Sequence, residues 1–473
     1  MALERTSIHG LWTSRLAFVL AATGSAVGLG NIWRFPYVAG ENGGGLFVLI
    51  YIVCVLLIGI PIMMAEIMLG RRGRQNPIET MRVLALEEGR SANWAWAGRM
   101  GIAAAFLILS FYSVVAGWVL AYIFRMLGGV FDGLDAPQVA GVFDELIGDP
   151  ERVMAWHTIF MVATVAIVAR GVKHGLEKAV RFLMPALFIL LLILLGYAAS
   201  TPAFLEGAKF MFVPDFSEVR GASILNAMGM AFFSLSLGMG AIMMYGSYLP
   251  KNASIANLAV TVAAADTIVA LIAGLIIFPL VFSYGLNPAE GADLVFKTLP
   301  LAFNQMPAGT VIGTLFFVLL ALAAITSAIS LLEPPVAWIV ENKKIDRAQA
   351  ARLSGAIAWL LGLGTIFSFN LWADYKWTFR FDLGKVQYVL FRDKSFFNVV
   401  DFLTSNVMLP LGGLLIAMFV AHLMRRESCE DELSMNRHHF NVWYFILRNI
   451  SPIAVAIVFL HAIGFFELLG ISV

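Results

Sequence analysis

Asp266 places a carboxylate inside an otherwise apolar run, Val262 to Phe282. An ionisable group at membrane depth is expensive and marks a functional position by default. The neighbouring apolar segments offer no Lys or Arg at that depth to pair with it. Two further stretches put polar atoms where hydrocarbon is expected. One reads Ala22-Thr-Gly-Ser-Ala-Val-Gly-Leu-Gly-Asn31, followed by Trp33-Arg34-Phe35-Pro36; the other reads Phe232-Phe-Ser-Leu-Ser-Leu-Gly-Met-Gly240. Glycine costs a helix about 1 kcal/mol relative to alanine, and serine competes for the backbone's hydrogen bonds. Each stretch is therefore a weak point in a membrane helix, and unwound backbone at that depth is tolerated only where it lines a cavity. Freed carbonyls, hydroxyls and a carboxylate around a cavity do binding chemistry. Covalent catalysis has no such support. His157, His174, His422, His438, His439 and His461 lie near helix ends or in loops, away from acids, and no Gly-x-x-x-x-Gly-Lys-Ser/Thr loop occurs. Cys54 in an apolar run and Cys429 in a charged stretch suggest neither a disulfide framework nor a metal site. The chain is not expected to be an enzyme.

The elements that must position these residues follow from composition. The chain is 60% apolar and 13% charged, with a mean hydropathy of +0.83, against about 25% charged residues in soluble domains. It needs the lipid bilayer as part of its solvent. Its net charge of +1 implies no bulk electrostatic partner and no nucleic acid. Runs of the roughly 20 apolar residues that span a bilayer fall near 13–38, 44–70, 97–127, 153–171, 178–199, 222–249, 256–284, 309–340, 349–369, 399–424 and 441–470. The expected fold is an all-α membrane protein with about eleven transmembrane helices. Lys and Arg concentrate in alternate loops, among them Arg71, Arg72, Arg74, Lys173, Arg347 and Arg425. That bias places the N-terminus in the cytoplasm and, with an odd helix count, Val473 outside. No removable signal peptide is expected. Loop 371–397, basic and rich in Trp and Tyr, is expected along the membrane surface or as a small hairpin. The interrupted segments are the first and the sixth, the offset of a five-helix repeat. Taken singly, each is explained as well by close helix packing through small residues; matching breaks in two halves point to a transporter binding site. The expected organisation is a segment 1–12, one five-helix repeat over 13–199, a second over 222–424, and an additional helix over 440–473.

These residues resemble the neurotransmitter:sodium symporter (LeuT-type) family. The resemblance rests on Trp12 to Pro36, Glu41-Asn-Gly-Gly-Gly45, Gly59-Ile-Pro61 with Glu66, Phe232 to Gly240, and Thr326-Ser327 followed by Pro334. The matches run in order from residue 12 to about 411. The resemblance implies a five-plus-five inverted repeat with helices 1 and 6 unwound at mid-membrane, sodium-coupled import of amino acids by alternating access, and a bacterial inner membrane as the location.

By the same resemblance, two sodium ions are expected. One site takes the Ala26 carbonyl, Asn31, Ser234, Asp266 and the substrate's carboxylate. The other takes the carbonyls of Gly24, Val27 and Ala323 and the hydroxyls of Thr326 and Ser327. Oxygen ligands of this kind suit a hard cation; without the motif, Thr326 and Ser327 read as hydroxyls bonded back to their own helix. Many family members have Asn at the position of Asp266 and need chloride. The positions resembling the chloride pocket are Tyr51, Met230, Ser234 and Ala270, and Met230 and Ala270 offer no donor. Two sodium ions beside one substrate carboxylate leave an excess positive charge that Asp266 cancels, so no chloride is expected.

Monoamine-selective relatives carry Asp at the position of Gly28, so Gly28 suggests a substrate that brings its own carboxylate. That group is expected to meet sodium, the amides of Leu29 and Gly30, and the Tyr112 hydroxyl, while the amino group meets Ser236 and freed carbonyls. Ser25, Ile108, Phe233, Met239, Ser327 and Leu331 line a mostly apolar pocket suited to a neutral, hydrophobic amino acid. Taurine, a small ω-amino acid, or a non-transporting sensor on the same scaffold are the alternatives. Arg34 and Asp401 resemble the extracellular gate, with Tyr112 and Phe233 as the lid beneath. At the cytoplasmic gate most members carry Arg where this chain has His9. The resemblance groups His9, Trp12, Tyr248 and Glu341, with Glu333 nearby, and leaves two expectations: a looser or pH-sensitive gate, or Arg5 in the place of the missing cation. The preferred amino acid, the stoichiometry and the oligomeric state are not legible.

Overall fold

The first apolar segment folds as two helices, α1 (Arg15–Ala26) and α2 (Gly30–Glu41), bent by 50° across a short break. Ser14 caps α1 by accepting from the Ala17 amide, and extended backbone at Val27 ends it. The structure, a computed structural model, describes residues 5–218, 221–288, 293–383 and 386–468. Residues 1–4, Lys385 and Val473, which entered the expected topology, lie outside the described residues.

Nine uninterrupted helices are apolar and long enough to cross a membrane among the described residues. They are α3 (Gly45–Gly73), α4 (Ala92–Leu127), α5 (Pro150–Val168), α6 (Val172–Ala199), α9 (Ile255–Ser283), α10 (Gly309–Lys343), α11 (Arg347–Phe367), α12 (Phe396–Leu423) and α14 (Arg437–Ala462). The sixth apolar segment is broken into α7 (Gly221–Ser234) and α8 (Ala241–Ser247). Between them Ser236, Gly238 and Gly240 have φ of 55°, 79° and 75°. Glycine adopts such values freely, whereas the Cβ of Ser236 makes them costly by about 1–2 kcal/mol. The helix stops where the sequence makes stopping cheapest.

One element departs from an all-helical reading. Loop 371–397 carries an antiparallel hairpin, β1 (Trp377–Leu383) with β2 (Val386–Lys394), in register Trp377↔Lys394 and Phe379↔Phe391 with irregularities between. The remaining labelled element is α13 (Arg426–Leu433), between α12 and α14.

At the centre, α1 packs against α6, α9 and α10, while α10 runs along α4 and α8 lies on α3. Gly70 shows why the last pair is close: a Cβ there would stand 1.9 Å from the Met243 carbonyl oxygen. The outer faces of α5, α6 and α14 expose Val162, Ile189 and Ile453. In a membrane these side chains meet hydrocarbon.

Candidate functional site

Both breaks and Asp266 meet at mid-molecule. Asp266 on α9 is completely buried. Its Oδ1 accepts from Asn31 Nδ2 at 2.7 Å, and its Oδ2 accepts from Ser234 Oγ at 2.8 Å and from Tyr51 OH at 3.3 Å. Three uncharged donors therefore face one carboxylate, and no ion pair to it occurs among the described residues. Ala26 lies beside this cluster on the wall of the adjoining pocket. Met230 and Ala270 are buried and bring no donor.

A second group of oxygens gathers where α10 crosses the end of α1. Ser327 Oγ stands 3.3 Å from each of the carbonyl oxygens of Gly24, Ser25 and Val27. One hydroxyl proton can satisfy only one of them, so the carbonyls converge beyond what the protein supplies. Thr326 Oγ1 lies 3.0 Å from the Ala323 oxygen and 3.2 Å from that of Leu322, a bond back to its own helix. Gly24 lets the chains approach, since a Cβ there would be 3.1 Å from Thr326 Cβ.

Between these two groups lies a small pocket of about 30 Å³. Its walls include Ser25, Ala26, Gly28, Gly30, Ile108, Tyr112, Phe233, Ser234, Ser236, Met239, Ser327 and Leu331, all expected from the sequence. Leu29 is displaced from this set: it lines the vestibule above, and its amide donates to Tyr112 OH at 3.3 Å. Ser330, which the sequence reading passed over, also lines the pocket and accepts from Ser25 Oγ at 2.8 Å. Ser236 Oγ donates to the Ser25 carbonyl at 3.0 Å, tying the two broken helices together. Glu66 is a second position that reading left without a role. Fully buried on α3, it accepts from the Gly238 amide at 2.7 Å, and its other oxygen has no protein partner. Like Asp266, Glu66 is a carboxylate within an apolar run.

Above the pocket, the Phe233 ring lies over Gly30 and under the Arg34 guanidinium, which is 4.6 Å from the ring centre. Arg34 Nη1 stands 3.9 Å from Asp401 Oδ1. Both groups are half-buried in a vestibule of about 220 Å³ with Trp33, Tyr37 and Phe397. An ion pair this long and wet contributes about 0–1 kcal/mol.

On the opposite side His9, Trp12, Tyr248 and Glu341 come together. His9 Nε2 is 3.0 Å from Glu341 Oε1, Trp12 Nε1 donates to the Tyr245 carbonyl at 3.1 Å, and His9 and Tyr248 meet edge to face. Arg5 does not join them, because it pairs with Glu87. The cation here is Arg347 from the start of α11. It forms an ion pair with buried Glu333, which also accepts from Tyr248 OH at 2.6 Å, and its Nη1 is 3.5 Å from His9 Nδ1. Arginine can only donate. The contact suits an imidazole that accepts at Nδ1 and donates from Nε2 to Glu341, with Arg347 supplying the fixed positive charge. Asn76 adds amide donors to Glu341 at 3.0 Å.

Two broken helices around a buried carboxylate, with closures on both sides, define a multi-pass membrane transporter. The model of the sodium:neurotransmitter symporter family matches residues 9–131 and 145–373. The chain belongs to that family, whose members are sodium-coupled transporters and not enzymes. It is 40% identical to an uncharacterized sodium-dependent transporter, YhdH, of Bacillus subtilis, over 96% of this chain and 97% of that one. It is 24% identical to sodium-dependent nutrient amino acid transporter 1 of Drosophila yakuba, over 98% and 78%. Among solved structures it is similar to MhsT in complex with L-phenylalanine, with a TM-score of 0.85 and 43% identity, covering 96% of this chain and 99% of that one.

Gly28 offers a direct check on the pocket. A Cβ there would lie 2.5 Å from Ser327 Oγ and 3.0 Å from Tyr112 OH. Overpacking of this kind costs about 1–3 kcal/mol, so Gly28→Ala is expected to weaken substrate binding about tenfold or more. Equilibrium binding of labelled substrate measures this, with thermal unfolding as the control for folding.

Proposed function

We propose that the chain imports neutral, hydrophobic amino acids together with two sodium ions, independently of chloride, through a bacterial inner membrane with its N-terminus in the cytoplasm. The observation that carries this reading is Asp266: a fully buried carboxylate held by Asn31, Ser234 and Tyr51, with no basic partner among the described residues. Such a group suits a bound cation. The pocket beside it carries no charged side chain, which favours a substrate whose own side chain is neutral. The L-phenylalanine bound to MhsT supports the same class of substrate.

The chemistry is that of ordered binding. Asn31, Ser234, Asp266 and the Ala26 carbonyl would hold one sodium ion. The carbonyls of Gly24, Val27 and Ala323 would hold the other, with the hydroxyls of Thr326 and Ser327. A substrate carboxylate would complete the first site and accept from Tyr112 OH and the amides near Gly30, where the dipole end of α2 favours an anion. The amino group would meet Ser236 and the freed carbonyls. Bulky side chains would make the pocket walls spread, and Met239, an unbranched thioether, has the freedom to move. Residues 13–199 and 222–424 would act as two repeats that rock about this centre, and the Arg34–Asp401 and Arg347–Glu333 closures would alternate. Sodium entry supplies about 2.3 kcal/mol per charge for each 100 mV.

The test is sodium-dependent uptake by the purified protein in liposomes, with unlabelled amino acids as competitors and chloride replaced by gluconate. Competition by hydrophobic amino acids, unchanged in gluconate, is expected. Competition by taurine or ω-amino acids alone would overturn the substrate class. Sodium-dependent binding without accumulation would make the protein a sensor.

A further inference from the structure

Arg437, Asn441, Tyr444 and Arg448 follow one another at four, three and four residues and therefore share one face of α14. Opposite that face stands α13, contributing Arg426, Glu427 and Glu430, and the two helices border an open cavity of about 630 Å³. The wall opposite is well fixed. Arg71 Nε binds Glu432 at 2.5 Å, and Arg425 binds Glu88 at 2.9 Å, anchoring α13 to the end of α3 and to the segment after it.

The charges lining this cavity are unequally satisfied. Arg426 pairs with Glu430 at 2.9 Å and lies over the Phe440 and Tyr444 rings at 5.3 and 5.4 Å. Arg437 and Arg448 are exposed and have no ion-pair partner among the described residues. Arg448 only approaches the Tyr444 ring, at 6.0 Å. Three arginines against two glutamates leave an excess of 3 − 2 = +1 in the cavity.

The cavity's depth says what would meet that charge. Eighteen residues without Asp, Glu, Lys or Arg, 449–466, follow Arg448, close to the roughly 20 that cross a bilayer core. Arg448 thus stands at the hydrocarbon boundary on the same side as the His9–Glu341 closure. Just beyond it α14 exposes Ile453 and Ile457. A soluble anion would have to reach a charge set at the edge of the acyl chains; a lipid brings its phosphate there with its tails already in place. Guanidinium groups match phosphate oxygens two at a time, and basic pockets between helices at this level hold anionic headgroups.

We propose that this cavity is a binding site for the headgroup of an anionic phospholipid, with Arg437 and Arg448 on its phosphate, Arg426 and Asn441 flanking it, and its acyl chains running beside α14. The site is separate from the transport pathway and uses none of its residues.

The full chain, reconstituted in nanodiscs of phosphatidylcholine or of phosphatidylcholine with phosphatidylglycerol, tests this through thermal unfolding. Phosphatidylglycerol is expected to raise the unfolding temperature by about 3 °C or more, by ligand linkage. R437Q/R448Q should lose most of that gain while unfolding like the parent in pure phosphatidylcholine and transporting normally. Native mass spectrometry of the same samples gives an independent reading: retained phosphatidylglycerol on the parent and its loss from the double variant. Equal stability in the two lipids, or a double variant that keeps the gain or the retained lipid, overturns the proposal. If millimolar inorganic phosphate in pure phosphatidylcholine reproduces the gain, the cavity takes a soluble anion and the lipid assignment is wrong.

Discussion

Asp266→Asn is expected to lower sodium-driven uptake about a hundredfold or more in chloride-free medium. The substitution keeps the shape of the side chain, so the groups around it remain, but it removes the negative charge that Asp266 brings to the proposed sodium site. With two sodium ions and a zwitterion bound, the parent site holds three positive and two negative charges, the second negative being Asp266. The variant would hold three against one in a buried, poorly screened setting. Losing the partner of a buried charge costs about 3–5 kcal/mol, which is a factor of a hundred or more in ion affinity. Added chloride is expected to restore little, because Met230 and Ala270 bring no donor to the position where an anion would sit. Uptake of labelled amino acid into liposomes, in gluconate and then in chloride, measures both effects. Retention of uptake in gluconate would remove Asp266 from the charge balance. Full rescue by chloride would show that Tyr51 and Ser234 suffice as an anion site.

The parts of this site that were readable in sequence are those whose signal is local. Glycine and serine inside apolar runs mark where α1 and α7 must stop, because the cost is paid residue by residue. The pocket lining followed from the family motif, and the structure brings almost all of it together. Leu29 enters through its backbone amide, which stands 3.3 Å from Tyr112 OH, the two donors that the family motif groups around a substrate carboxylate. Ser330 was passed over because a serine one turn after Thr326-Ser327 reads as ordinary helix. The hairpin β1–β2 was ambiguous because its aromatic and basic residues suit a membrane surface and a strand equally. Arg347 illustrates a different failure. In sequence it is one of several basic residues in a loop, and it counted only toward orientation. Its partner Glu333 sits 14 positions earlier, across the end of α10 and the turn into α11, and no periodicity links them. His9 drew attention as a departure from the family pattern, yet a departure reveals only that a charge is missing. Its replacement enters from another helix.

That replacement gives the second large effect. Arg347→Gln is expected to shift the protein toward the state open on the His9 side by about a hundredfold. Glu333 has no exposed side-chain surface, and Arg347 is its only ion-pair partner among the described residues. Removing the guanidinium leaves a buried carboxylate that accepts from the Tyr248 hydroxyl but has lost its cation, at a cost of about 3–5 kcal/mol. Opening to water relieves that cost, so the closed state alone is penalised. His9→Gln should act far less, because an amide can still donate to Glu341 and Arg347 keeps the fixed positive charge. Both claims can be read with one reporter. Ala337 is buried on α10, one turn from Glu333 and one from Glu341, and the native Cys54 and Cys429 are buried. The labelling rate of Ala337→Cys therefore follows opening at this closure. A rate that rises with Arg347→Gln and barely with His9→Gln places the gate's positive charge on α11. A rate that rises as steeply with His9→Gln as with Arg347→Gln would make the His9–Glu341 contact the one that holds this side shut.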